Sequence, residues 1–314
     1  MYSAFVNEYA DIIVYMNFIK RSVGKVIAIL FCILPFRLVR KLVSLLPSLA
    51  KFVPKDKLIT VTIDNSFFGK MRLLLNTGFG IDSSIIHNGY YELKTMLYLQ
   101  HIIKEGDVCI DIGANVGAIT FPLSKLVKET GHVYAFEPGP ALHERLVQNI
   151  QYNNIKNVEL FRCGLGNQNT TLYWDYVEGQ PGNANLSTSG KVKVDVKRLD
   201  DISPLFSRKI NFIKIDVEGM ELEVIMGGLQ LIQSNLPIIF YESLVYENLS
   251  DGQFEKQKQI IEVLSGLGYA TYEIDMREED LKLDSQLRFI PTYFPKLPAN
   301  TLAVHSSKID RIGL

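Results

Sequence analysis

Short apolar runs alternating with amphipathic stretches predict an α/β fold: a mostly parallel sheet with helices on both faces. Two observations carry this. First, "DVCID", "HVYAFEP", "NVELFRC", "INFIKIDVEG" and "LPIIFYES" are each of strand length and are separated by helix-like segments such as "ALHERLVQNIQYNN". Second, the first of these runs leads into "DIGANVG", residues 111–117, where two glycines follow an acid. That pattern marks a sharp turn around a small molecule.

Taken in order, residues 1–55 read as helix broken at Pro35 and Pro47. "LITVTID" and "MRLLLN" read as a hairpin turning near Gly69. "YYELKTMLYLQHIIKEG" has Leu93, Met96, Leu97, Leu99 and Ile102 at helical spacing and predicts a helix ending at Gly106. The strand–helix alternation then begins. It closes with a helix near 253–266 and strands at "ATYEID" and "TLAVHS", about seven strands in all. Between Gly164 and Asp200 the alternation fails. "TTLYWDY" and "KVKVDVKRL" predict an antiparallel hairpin around a polar loop at 177–190, either a lid or disordered. The expected organisation is a basic, apolar helical region at 1–57 and one catalytic-type domain at 58–314. Its core spans 105–305, with an insertion at 165–200.

The chain has 314 residues, 47% of them hydrophobic, and a net charge of −1. That balance carries no nucleic-acid signature. Three cysteines, Cys32, Cys109 and Cys163, are too few and too far apart for a disulfide framework or zinc site. They predict a reducing, cytoplasmic setting. From Lys20 to Lys57 there are nine Lys or Arg residues and one acid, Asp56. The run "VIAILFCILPF" within that stretch falls short of the ~20 apolar residues a membrane span needs. Two readings of the stretch stand: a helical appendage packed on the domain, or a basic amphipathic segment lying on an anionic membrane surface.

The turn narrows the ligand. Gly113 can take conformations barred to other residues, and amide groups at the following helix start favour a carboxylate or phosphate. A P-loop would need Gly-Lys-Ser/Thr, and a dinucleotide turn would need a glycine at position 115, where Asn115 stands. Asp111 is unwelcome beside a diphosphate and suits an ammonium group. Glu137, in "AFEP" with Pro138, can accept both hydroxyls of a ribose. An ammonium, a carboxylate and a free ribose diol together describe S-adenosyl-L-methionine (SAM).

The segments "GDVCIDIGANVGAITFPLS", "GHVYAFEPGPALHERLVQNI", "VKRLDDI", "INFIKIDVEGMELEVIMGG" and "PIIFYE" resemble the FkbM family of SAM-dependent methyltransferases over roughly residues 88–305. The resemblance implies the class I methyltransferase, Rossmann-like fold, with a seven-stranded sheet whose last strand is antiparallel. It implies transfer of a methyl group to a hydroxyl of a sugar, glycolipid or polyketide-type product. It also implies that Asp111, Gly113, Asn115 and Gly117 hold the methionine part of SAM and that Glu137 holds the ribose. Cys163, Gly164 and Leu165 would lie by the adenine, and Glu92, after Tyr91, in a segment that covers the cofactor. Pro122 departs from a regular helix after the turn and requires that helix to start late or kink.

A hydroxyl acceptor needs a base near the methyl group. Asp216 and Glu218, in "KIDVEG", and Glu242 end strands beside the expected sulfur, and His305 ends the last strand. Asp216 is the preferred base, also near the cofactor, with Lys214, Glu218 and Glu242 supporting it. The plainer reading makes Lys214 and Asp216 a structural ion pair and Glu218 a helix cap. A divalent cation shared by Asp216 and Glu242 is disfavoured, because "YES" stands where an Asp-Asn pair is expected. Asn183, Asn185, Ser187 and Thr188 could bond a sugar, and Trp174 and Tyr176 could stack on one. Two other classes stay open at this point: an NAD- or nucleotide-sugar-linked oxidoreductase, and a non-catalytic SAM-binding protein.

Overall fold

The chain enters the fold through a hairpin, β1 (Leu58–Asn65) and β2 (Gly69–Asn76), paired antiparallel as expected. The computed structural model describes residues 58–314 apart from 78–79, 178–179, 191, 244–249, 276–281 and 283–285. The basic stretch at 20–57, with both its readings, lies outside the described residues. Helices α1 (Gly80–Asn88) and α2 (Leu93–Ile102) follow. Helix α2 stops four residues before Gly106 because Ile103 takes an extended backbone, its N–H still bonding Leu99 O. Gly106, at φ 84°, instead shapes the turn into the next strand.

The alternating segment then builds β3 (Val108–Ile112), α3 (Thr120–Val127), β4 (His132–Phe136), α4 (Pro140–Tyr152) and β5 (Val158–Phe161). Pro122 falls in the first turn of α3, where its missing N–H would have had no helical partner, so the helix does start late. An accessory sheet is inserted next: β6 (Gly164–Leu165), β7 (Thr170–Val177), β8 (Gln180–Ser187) and β9 (Val192–Lys197), in the order β6-β9-β7-β8. The expected polar loop at 177–190 is therefore mostly a strand. Its Gly, Pro and Asn content hides it from propensity, but β7 has one edge taken by β9 and the other open to it.

The chain returns to the main sheet with β10 (Phe212–Ile215), α5 (Glu221–Gly227), α6 (Leu229–Asn235), β11 (Ile238–Glu242), α7 (Asp251–Gly266), β12 (Tyr269–Ile274), β13 (Phe289–Thr292) and β14 (Asn300–His305). The sheet order is β13-β12-β14-β11-β10-β3-β4-β5. Eight strands stand where about seven were expected. The extra one, β13, contains Pro291 and is followed by Pro295, which argues against a central strand; at a sheet edge only one side needs pairing. Strand β14 runs antiparallel to both β11 and β12. This is the class I methyltransferase topology with one added edge strand.

Alternation along β3 separates two cores. Ile110 and Ile112 pack with α5, α6 and α7, whereas Cys109 packs with α2, α3 and α4. Helix α4 and its C-cap residue, Asn153, also anchor the N-terminal elements, through residues spaced four apart. Arg145 Nη2 donates to Asp82 Oδ2 of α1 at 3.0 Å. Asn149 accepts from Leu74 N–H at 2.6 Å, and Asn153 accepts from Arg72 N–H at 2.8 Å, so two amide side chains continue the edge of β2. Asp82 and Arg145 are both buried. Arg145→Ala leaves the Asp82 carboxyl without its cation inside the protein, with the Asn76 N–H still donating to it, and urea denaturation should show a loss of about 3–5 kcal/mol. Replacing an exposed residue of the same helix, Gln148, should change stability by less than about 0.5 kcal/mol.

Candidate active site

The carboxyl-terminal ends of β3, β4, β10 and β11 open into a cavity of about 540 Å³. It lies where the sheet reverses direction of growth, between β3 and β10, the place where open α/β sheets bind ligands.

The turn after β3 forms one wall. Gly113 and Gly117 have φ values of 81° and 93°, and Asn115, at 51°, shares the left-handed region. A β-carbon on Gly113 would lie 1.9 Å from Asp216 O, so this glycine is required by packing against the chain leaving β10. A β-carbon on Gly117 would strike Phe121 and Leu146. The turn is fixed to the neighbouring strand because the N–H groups of Gly113 and Ala114 both donate to Phe136 O at 3.0 Å.

Glu137 stands beside that turn, 2% exposed. One carboxylate oxygen accepts the Asn115 N–H and the other the Gly139 N–H, both at 2.8 Å. Each oxygen keeps a second acceptor position, so the group can still take two hydroxyls. Burial pushes its pKa up to about 7, against the two backbone bonds.

Lys214 sits at the opposite wall. It pairs in register with Asp111 across β10 and β3. Its ammonium lies 3.0 Å from Asp216 Oδ2 and 3.9 Å from Asp111 Oδ1. Burial works against that charge, but the two carboxylates outweigh it and raise the lysine pKa. Asp111 is fully buried, and its other oxygen accepts the Thr120 hydroxyl at 2.6 Å. It faces the α3 side of β3 and stands behind the cavity wall, as does Gly117; neither lines the cavity. The expected direct contact of Asp111 with an ammonium group is thus replaced by one with Lys214.

Glu92, Gly113, Asn115, Glu137 and Pro138 line the cavity, as do Cys163, Gly164 and Leu165. So do Lys214, Asp216, Glu218 and Glu242. Glu92 accepts from Thr95 Oγ1 at 2.8 Å and from Asn300 Nδ2 at 3.4 Å. Glu218 does not cap α5. That helix has no side-chain cap; Glu221, its first residue, accepts from Val217 and Gly219 N–H in the preceding turn, and Glu218 is exposed at φ 54°. Among the described residues Glu242 has no hydrogen-bond or ion-pair partner. Burial, then the charges of Asp216, Glu218 and Glu221, raise its pKa to about 8. Tyr91 lies among the same acids, and burial with their charge raises its phenol, so it remains a donor.

His305 is a correction. Because β14 is antiparallel, its end pairs with Tyr269 at the far edge of the sheet, away from the cavity. The start of β14 is what reaches the site: Asn300 pairs in register with Glu242 and lines the cavity. Asn300 was not singled out from sequence, although an antiparallel last strand is itself the signal that would find it. Trp174 stands at the Glu137 end of the cavity, by Gly139. The side chains of Tyr176, Asn183 and Asn185 lie outside the described residues.

Six carboxylates (Asp82, Glu92, Glu137, Asp216, Glu218 and Glu242) and one lysine line the cavity among the described residues. That balance repels a diphosphate and favours a ligand carrying positive charge. With the free acceptor positions of Glu137, the chemistry fits a sulfonium nucleoside bearing a ribose diol.

Comparison with known proteins agrees. Residues 111–271 match the family described as the methyltransferase FkbM domain. Methyltransferase 1 of Beauveria bassiana is 28% identical over 199 residues, covering 55% of this chain and 77% of that protein. The hexuronic acid methyltransferase AglP of Haloferax volcanii is 31% identical over 136 residues, covering 42% of this chain and 54% of that protein. The crystal structure of methyltransferase FkbM from Methylobacillus flagellatus is 16% identical. The alignment covers 71% of this chain and 52% of that one, with a TM-score of 0.39.

A diol-binding role for Glu137 predicts a pH-dependent affinity. The ionised carboxylate is the binding form, so S-adenosylhomocysteine should bind best above about pH 7. Its affinity should weaken by up to about tenfold per unit below that. Isothermal calorimetry from pH 5 to 9 checks this, and Glu137→Gln should bind weakly with no such slope.

Proposed function

The chain belongs to the FkbM family of SAM-dependent methyltransferases, and from that premise we propose that it methylates a hydroxyl oxygen on a sugar, glycolipid or polyketide-type acceptor. The observation that carries this reading is the division of the cavity. A diol-competent carboxylate, Glu137, stands at one end, and Glu242, a carboxylate with no partner among the described residues, stands beside the Lys214–Asp216 ion pair at the other. The relative from Haloferax volcanii, named for a hexuronic acid, supports a sugar among these acceptors.

Bound SAM would supply a methyl group on a positively charged sulfur, ready for in-line displacement. The protein's part is to align the acceptor oxygen, exclude water and remove a proton. In this reading Glu137 holds the ribose hydroxyls, the Gly113–Asn115 turn meets the methionine part, and Cys163–Leu165 border the adenine. At the acceptor end, a C–O bond forms as the C–S bond breaks, the electron pair stays on sulfur, and the hydroxyl proton passes to a carboxylate.

Two carboxylates compete for that proton. Asp216 is engaged by the buried Lys214 ammonium at 3.0 Å, so one of its oxygens is already taken. Glu242 has no such partner, and its pKa of about 8 gives it a stronger pull on a proton near neutral pH. Glu242 is therefore the proposed base, and Asp216 holds Lys214 in place. Lys214 keeps the surrounding acids from repelling one another, and Asn300, Glu92 and Tyr91 offer hydrogen bonds to the acceptor.

Incubation with SAM and a cell extract should yield S-adenosylhomocysteine together with a product heavier by one methylene, found by mass spectrometry. Once an acceptor is in hand, Glu242→Gln should lower kcat about 100-fold or more while leaving S-adenosylhomocysteine affinity within about threefold. At saturating SAM, where the ionisation of Glu137 no longer limits binding, the native kcat/KM for the acceptor should rise with pH as Glu242 ionises, and Glu242→Gln should flatten that limb. Retention of the native rate in Glu242→Gln would remove it as the base.

A further inference from the structure

Trp174 is the one tryptophan in the chain. Strand β7 carries it into the main cavity, where its ring is 9% exposed. A β-carbon built on Gly139 would lie 2.8 Å from both Glu137 Oε1 and Trp174 Cζ2. The indole, the buried carboxylate and the start of α4 therefore converge on one point. The rest of the accessory sheet reaches the same end of the cavity. Trp174 pairs in register with Val192 of β9, and Val196 of β9 pairs with Gly164 of β6, which lines the cavity beside Cys163 and Leu165.

We propose that Trp174 is a cofactor-positioning residue, and that the sheet inserted between β5 and β10 forms the wall of the adenosine pocket and not a platform for the acceptor. The inference rests on Glu137 as the ribose-binding carboxylate. A flat apolar ring next to a diol-binding acid suits a nucleoside, which offers a purine face and a polar sugar side by side. The acids that would face a methyl acceptor, Glu218 and Glu242, extend instead from the ends of β10 and β11. The carboxylate that Trp174 accompanies is at the end of β4.

Because Trp174 is alone, tryptophan-selective emission reports on this one position. The full-length protein is titrated with S-adenosylhomocysteine, and emission and binding heat are followed in parallel. A saturable emission change with the calorimetric midpoint is expected. Trp174→Ala should bind about tenfold more weakly, whereas Trp174→Phe, which keeps an aromatic face, should stay within about threefold of the native affinity. Circular dichroism confirms that each variant is folded, and Trp174→Phe against the native chain serves if the alanine variant is not. In that case the proposal then requires native-like affinity in Trp174→Phe and the native emission change. Binding heat without an emission change, or native affinity in folded Trp174→Ala, overturns the proposal. Glu137→Gln run alongside separates it from its premise. Lost affinity there with none lost in Trp174→Ala overturns the role of Trp174 alone, and unchanged affinity in Glu137→Gln overturns the diol reading.

Discussion

A buried ammonium at the join of two strands organises this protein's site. Lys214 of β10 faces Asp111 of β3 in register and meets Asp216 where the chain leaves the sheet. Burying one charge of this kind without partners would cost several kcal/mol. With two carboxylates present, the lysine stays charged, and each acid gains a fixed neighbour. The arrangement contributes position more than stability. It sits where the sheet changes its direction of growth, and the turn that follows β3 packs directly on the chain that follows β10: Asp216 O occupies the space a side chain at position 113 would need. The turn after β3 and the acidic end of the cavity are therefore one mechanical unit.

Glu137 performs the matching task on the other side. Its oxygens take the amides of Asn115 and Gly139, so a single side chain ties the turn after β3 to the start of α4. A carboxylate held this way is pre-oriented for a diol, which lowers the entropy cost of binding. The same helix, α4, holds the N-terminal hairpin and α1 through Arg145, Asn149 and Asn153. Elements outside the strand–helix alternation are thereby fixed relative to the cavity, and Asp82 lines it while bonding Arg145.

The acids at the end of β10 and β11 divide their work by their partners. Asp216 is tied to Lys214, Glu221 accepts backbone amides of the turn before α5, and Glu242 has neither kind of partner among the described residues. Carboxylates of one chemical type therefore differ in the partners that occupy them. Asp216 and Glu242 look alike as strand-end acids in a sequence, and only their surroundings separate an ion-pair partner from a proposed base.

Periodicity, turn chemistry and charge are local properties, so the seven main strands, their helices, the glycine turn and the residue types at the strand ends were legible in the residues alone. So was the late helix start that Pro122 requires. Tertiary structure decided what depends on pairing across long separations. Strand β8 exists because β7 had an open edge, and β13 because an edge position tolerates proline. The antiparallel β14 brought Asn300 to the cavity and carried His305 away. Asp111 was placed behind the wall by the face of β3 on which it falls and by Thr120, nine residues on. Trp174 reached Glu137 through strand pairing that no local pattern announces. Hydrogen bonding between distant strands, together with burial, set these positions, and neither can be summed from a residue's own neighbours in the chain.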